Sequence, residues 1–293
     1  METYLDCIPC FFRQALFAAR VATADEALHR EVLVRLGARL SDVRLNGSPP
    51  VIGSLVYAIV RDVTGKPDPF KELKRESTQK ALSLYPMLRR MVETSPDPLR
   101  TAVRLAIAGN IIDFGANPAF ELEKEVQGLL QTSLAVDHFQ AFRARLEVSD
   151  WVLYLGDNAG ETVFDRLLIE TMEKPVLYAV RNTPMINDAT REDADMAGLS
   201  DVARVLSSGC DAPGTILEWC SQEFRSTFHK APIIISKGQG NFESLADQRG
   251  PLFHLLKVKC GVIAEILGVA EGGLVLQSAG IKRAPGAKGA RRA

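Results

Sequence analysis

The chain has 293 residues, with 35 Lys and Arg against 36 Asp and Glu and a formal net charge of -1 at pH 7, so no global excess of charge points to nucleic acid or an anionic membrane. Its 46% hydrophobic and 24% charged residues suit a globular protein long enough for a large α/β domain plus a smaller helical one, and its apolar runs break at Glu or Gly well short of the about 20 residues a bilayer requires. The opening METYLDCIPC has acids where a secretory leader has basic and apolar residues, and its five cysteines are an odd set, so free thiols in the cytoplasm are expected.

Residues 1–147 read as a helical domain. Apolar residues recur at three- and four-residue spacing, and Pro, Gly and Asn divide them into helices expected at 8–21, 25–43, 51–62, 69–94, 98–112 and 119–132. From residue 148 the pattern changes. WVLYLGD, PVLYAVRN, DVARVLSS and PIIISKG read as four strands separated by segments long enough for crossovers, which predicts a doubly wound α/β domain over 148–280 with a parallel sheet. Runs at 252–258 and 274–277 are expected to add edge strands, with a short helix at 262–267 between them. The closing KRAPGAKGARRA, in 281–293, reads as a disordered basic tail.

Ligands of open parallel sheets bind beyond the carboxyl ends of the strands, where loops and helix N-termini converge. Four such ends carry polar residues here: Asp157, Asn158 and Glu161 after the first strand; Arg181, Asn187 and Asp188 after the second; Cys210 and Asp211 after the third; Lys237, Gly238, Gly240 and Asn241 after the fourth. Asp157, Asp188 and the amide oxygen of Asn158 form a hard-oxygen set suited to Mg²⁺ or Mn²⁺, with coordination positions left for water and substrate. The structural alternative is that Asp157-Asn158 and Asp188 cap the helices that follow.

Lys237 beside Gly238 and Gly240 suits a phosphate, or simply a turn; neither GxxxxGK[ST] nor GxGxxG is present. Glu161 is expected to orient a metal-bound water, and Asp165, one helical turn on, to be solvated or structural. Asn110 and Asp113, in AIAGNIIDFG, either reach the site or cap a helix. Cys7 and Cys10 form a C-x-x-C pair without the second pair that a structural zinc site needs, and Cys220 and Cys260 read as packing residues.

The motifs GDNAGETVFD, RNTPMINDAT and SKGQGNFESL, with AGNIIDFG before them and LLKVKCGVIA after, resemble in order those of the DUF89 family of metal-dependent, damage-control phosphatases, and DCIPC resembles its microbial branch. The resemblance runs from about residue 5 to 270. It implies a three-layer α/β/α Rossmann-like domain joined to a helical bundle, with a divalent metal (Mg²⁺, Mn²⁺, Co²⁺ or Ni²⁺) on Asp157, Asn158 and Asp188 and a phosphate-contacting lysine at Lys237. Gly261 departs from the proline expected after the cysteine of the KC motif.

The function expected is hydrolysis of phosphomonoesters of small metabolites, such as sugar phosphates or damaged phosphorylated cofactors. A metal-bound water is the favoured nucleophile, with Asp157 as the covalent alternative. Arg181, Asn187, Asp211, Gly238, Gly240 and Asn241 are the expected substrate contacts, together with Asn110 and Asp113. Two rivals are an S-adenosylmethionine-dependent methyltransferase, against which the acidic first loop argues, and a non-enzymatic sugar-phosphate sensor.

Overall fold

The structure, a computed structural model, describes residues 1–41, 45–109, 126–128 and 130–279. Three amphipathic helices open the chain: α1 (Cys7–Ala22), α2 (Glu26–Leu40) and α3 (Pro49–Thr64). Asp25 caps α2 by accepting from the Ala27 N–H, and α3 starts on Pro49-Pro50, where the missing N–H groups would have had no helical partner. Phe11, Leu36, Ile52, Val56 and Val60 form a core of their own between the three. The helices α4 (Lys71–Glu93), α5 (Pro98–Ala108) and α6 (Phe139–Glu147) follow, and their apolar faces bury instead against the sheet, in one cluster with Val152, Tyr154 and Leu276. The helix expected at 119–132 and the end of that at 98–112 fall largely outside the described residues, as do Asn110, Asp113 and the tail 281–293.

Seven strands form one sheet: β1 (Val136–Asp137), β2 (Val152–Leu155), β3 (Val176–Val180), β4 (Arg204–Ser207), β5 (Ile234–Lys237), β6 (Leu252–Lys257) and β7 (Leu274–Ser278). Their spatial order is β1-β7-β6-β5-β2-β3-β4, parallel throughout except for the β6–β7 pair. The segments expected as edge strands are therefore interior, a correction with a simple cause: the two residues of β1, too short to read as a strand, pair in parallel with Val275 and Leu276 and cover β7.

Alternation along the strands divides the core between two faces. Val152, Tyr154, Tyr178, Ile235 and Leu255 point toward α5 and α7 (Thr162–Met172), whereas Leu153, Leu155, Ala179 and Ile234 point toward α9 (Gln222–Lys230). Both faces are covered, so the central strands β2 and β3 are continuous apolar runs and the architecture is three-layered α/β/α. The remaining helices are α8 (Arg191–Met196), α10 (Gly238–Leu245) and α11 (Gly261–Leu267). Among the described residues no helix is long and apolar enough to cross a membrane.

The chain leaves β2 through β3 to β4, then returns to β5 on the other side of β2. This reversal opens a crevice beyond the carboxyl ends of β2 and β5, the switch point at which open α/β sheets bind ligands.

Candidate active site

Asp157 and Asn158 follow β2 at that switch point, and backbone pairing brings Asp188 to them. The Ala189 N–H donates to Asp157 O at 2.7 Å, the Ala159 N–H donates to Asn187 O at 2.8 Å, and Asn158 and Asp188 form an isolated antiparallel bridge. The loop carrying Asp188 is anchored at both ends. Met185, 1% exposed, inserts into the core of α1–α3, and the Arg61 guanidinium donates to Pro184 O at 3.1 Å. Beyond Asp188, the Asp193 carboxylate accepts from the Thr190 N–H at 2.9 Å and from the buried Lys74 ammonium at 3.0 Å. Between these anchors Ile186 is held at φ 49°, a costly conformation for a β-branched residue, which the surrounding packing enforces.

The capping alternative does not describe these side chains. Thr190, not Asp188, is the N-cap of α8, and Asn158 precedes the 3-10 turn Ala159–Glu161 without a side-chain cap. The Asn158 amide nitrogen instead donates to Glu161 Oε1 and, at 3.3 Å, to Asp157 Oδ2. With its nitrogen so committed, the amide's oxygen is the atom that could serve a cation.

Beneath this layer lies a buried charge network. The Lys237 ammonium, fully buried, donates to Glu161 Oε2 at 3.0 Å and to Asp165 Oδ1 at 2.7 Å. Asp165 also accepts from the stacked tyrosines Tyr154 (2.6 Å) and Tyr178 (2.8 Å). Burial opposes the lysine's charge, but Asp165 and Glu161 outweigh it and push its pKa up. Burial raises the Asp165 carboxyl, and the lysine only partly offsets this. Arg181 Nε donates to Asp188 Oδ2 at 2.6 Å, while its other nitrogens donate to Thr215 Oγ1 at 3.3 Å and Asn241 Oδ1 at 3.2 Å. Asn241 in turn donates to Gly156 O at 3.0 Å and Lys237 O at 2.8 Å, tying the ends of β2 and β5 together.

These contacts revise several expectations. Lys237, Arg181 and Asn241 are turned inward, committed to carboxylates and backbone carbonyls, and do not line the cavity; Asp211 is exposed and accepts from Thr183 at 2.9 Å. Gly238 and Gly240 allow close approach rather than flexibility. Gly238 has φ +78°, and a Cβ there would stand 1.8 Å from Asp157 Oδ2; one on Gly240 would stand 2.0 Å from Pro213 O.

A cavity of about 300 Å³ opens over Asp157, Asn158, Asn187 and Asp188. Its far wall is Phe11, Gln14 and Phe17 of α1 with Tyr57 of α3, and Gln239, Glu243 and Lys259 complete the rim. The sequence reading missed these wall residues: the three-residue steps from Phe11 to Phe17 match a stripe that merely packs a helix. A larger depression of about 690 Å³ lies at the opposite ends of β2, β3 and β4 and is lined mainly by strand-start residues such as Trp151 and Pro175. The converging oxygens are at the smaller one.

The donor chemistry fits a divalent cation. Asp157, Glu161, Asp165 and Asp188 are four buried acids, against the two buried bases Arg181 and Lys237, two more acids than bases. Burial, then the charges of Asp188 and Glu161, push the Asp157 carboxyl up to about 8, and burial raises Asp188 against the pull of Arg181. Among the described residues no three His, Cys, Asp or Glu side chains are grouped to hold a metal, so the candidate centre is two carboxylates and one amide, a sparse set that leaves room for substrate oxygens.

Comparison with known proteins places this architecture. The description of the damage-control phosphatase ARMT1-like domain matches residues 3–275. The chain is 36% identical to a damage-control phosphatase of Pyrococcus horikoshii, over 94% of this chain and 97% of that one, and 32% identical to one of Archaeoglobus fulgidus, over 92% and 96%. A crystal structure of a DUF89 family protein from Pyrococcus horikoshii superposes with a TM-score of 0.89 at 34% identity, covering 95% of this chain and 99% of that chain. Fold and relatives together define an α/β enzyme of the phosphatase class. The chain belongs to the damage-control phosphatase ARMT1-like (DUF89) family, and that membership is consistent with dependence on a divalent metal.

Proposed function

We propose that this chain hydrolyses phosphomonoesters of small metabolites, such as sugar phosphates or damaged phosphorylated cofactors, with a divalent cation held by Asp157, Asn158 and Asp188. The observation that carries this reading is the surplus of two acidic over basic side chains buried at the switch point of the sheet, directly under a cavity of about 300 Å³. That volume is at the small end of the roughly 300–1,000 Å³ of ligand pockets, which suits a phosphoryl group with a compact leaving group. Bound there, Mg²⁺, Mn²⁺, Co²⁺ or Ni²⁺ supplies charge neutralisation at the phosphoryl oxygens. Arg181 orients Asp188, Glu161 orients Asn158, and Lys237 holds Glu161, so Asp188 and Asn158 are each fixed by a second contact before substrate arrives. The first turn of α10 borders the cavity through Gln239 and Gly240, and its N-terminal dipole favours an anion there.

The test is phosphate release from a panel of phosphorylated metabolites with each of the four metals. Metal-stimulated release by the wild type, absent in Asp188→Ala, is expected. Binding of a sugar phosphate with no release under any metal would favour a sensor and discard the hydrolase.

Metal binding should also show in stability. The Asp157 carboxyl is raised from 3.8 to about 8, so the folded state holds a proton there that the unfolded chain has released, and stability without metal falls as pH rises from about 4 to 8. A cation displaces that proton, so the rise in Tm on adding Mn²⁺ should grow over the same window. A metal-induced shift that is equal at pH 5.5 and pH 8 would count against Asp157 as a ligand.

A further inference from the structure

We propose that Glu243 is a general acid that donates a proton to the leaving-group oxygen of the ester. The inference rests on the phosphomonoesterase reading and adds to it a group that serves the departing alcohol.

Asp157 and Asp188 are the carboxylates of the candidate metal centre, and among the described residues Glu243 is the one other acid lining the cavity. It stands apart from that pair, since among the described residues no third acid is grouped with them to share a cation. Its position follows from α10. The helix starts at Gly238, which passes against Asp157, so its first turn lies beside the place of the phosphoryl group. Gln239 and Glu243, one turn apart on the same face, carry the wall onward from there. A phosphoryl group held over Asp157, Asn158 and Asp188 directs its ester oxygen away from them, into the space that Glu243 borders.

The half-buried Glu243 carboxyl accepts from Gln239 Nε2 at 2.8 Å on Oε1, and no other described residue donates to it, so Oε2 is left for a ligand. The Met1 ammonium comes near but donates to the Glu243 carbonyl at 3.2 Å and pairs with Asp247 at 3.0 Å. On the elements packed against α10, Tyr57 of α3 is committed to Gln14, Lys237 of β5 to Glu161 and Asp165, and His254 of β6 to Ser236. The Cys7 thiol of α1 is also close, and burial pushes it up to about 11, so it stays protonated. Burial pushes the Glu243 carboxyl up to about 7, against weaker pulls from Gln239, the Met1 ammonium and Lys259. Near neutral pH it therefore has a proton to give, as acid catalysis there requires. As the ester P–O bond breaks, that proton passes to the ester oxygen, which leaves as an alcohol. A water oxygen bonds to phosphorus and sheds a proton to solvent, and solvent reprotonates Glu243.

The experiment compares kcat for glycerol phosphate and p-nitrophenyl phosphate with the Mn²⁺-loaded wild type, Glu243→Gln and Glu243→Asp. An alkoxide needs a proton to leave, whereas nitrophenolate leaves without one. Glu243→Gln should lower kcat for glycerol phosphate about a hundredfold or more, and for the nitrophenyl ester by a factor at least about tenfold smaller. Glu243→Asp should recover part of the loss. In the wild type, kcat for glycerol phosphate should fall as pH rises through about 7, a limb that Glu243→Gln lacks. Losses of equal factor on both esters, no loss on glycerol phosphate, or wild-type release from the nitrophenyl ester alone each overturn the proposal and leave the hydrolase reading standing. A wild type that releases phosphate from neither ester, with any of the four metals, overturns the hydrolase reading and the proposal with it.

Discussion

Asp157→Asn should abolish metal-stimulated phosphate release, by about a thousandfold or more, and at the same time raise the Tm of the metal-free protein at pH 8. The loss follows from removing one of two carboxylates in a sparse site, where neutralisation of phosphoryl charge accounts for several kcal/mol of the barrier. The gain follows from the same geometry. Asp157 is 7% exposed, and its ionisation is opposed first by burial and then by Asp188 and Glu161, so its carboxyl titrates at about 8 rather than 3.8. An isosteric amide carries no such charge and should stabilise the metal-free fold by about 1–3 kcal/mol, a few degrees in Tm. The sign can be checked against pH. Below about 4 the carboxyl is protonated whether the chain is folded or not, so the advantage of Asn should vanish there and grow as pH rises toward 8. Release within tenfold of wild type, or a lower Tm at pH 8, would remove Asp157 from the centre of the site.

Lys237→Met is expected to have the largest effect on stability, about 3–5 kcal/mol, because it leaves two buried carboxylates facing each other without their cation. Glu161 is 1% and Asp165 0% exposed, so water cannot replace the ammonium that now donates to both. Activity should be lost as well, since Glu161 would no longer hold Asn158 in register. The double variant Lys237→Met/Asp165→Asn separates the two consequences. With one charge of each sign removed, Tm should recover by at least half of the loss while release stays absent, and the cycle should show a coupling of more than about 1 kcal/mol. A single variant that melts within about two degrees of wild type would show that the ammonium's contacts with Glu161 and Asp165 do not stabilise the fold.

The fold was legible where periodicity is strong. Four strand-like runs at crossover spacing announced a parallel sheet, and β2 through β5 lie where those runs do; β2, β3 and β5 stand out most because strands buried on both faces are largely apolar. The sheet's left half was less legible. Val136–Asp137 is too short to stand out from a loop, so β6 and β7 read as edges although they lie inside. The helices of the first half looked alike in sequence, yet α1–α3 share one core and α4–α6 another, a division that depends on which surface each apolar stripe meets.

For the site, the sequence by itself determined the inventory: oxygen donors at successive strand ends, and glycines in the loop after the fourth. These follow from local rules, since side-chain type and strand period are written residue by residue. Only the tertiary structure decided which groups face the cavity. Lys237 points into the protein because Glu161 and Asp165, the latter held by Tyr154 and Tyr178, converge to receive its ammonium, whereas the aromatic wall of α1 reaches the cavity by packing across more than a hundred residues of chain. The direction of a charged side chain is set by the balance of desolvation against partners, and partners distant in sequence become neighbours only on folding.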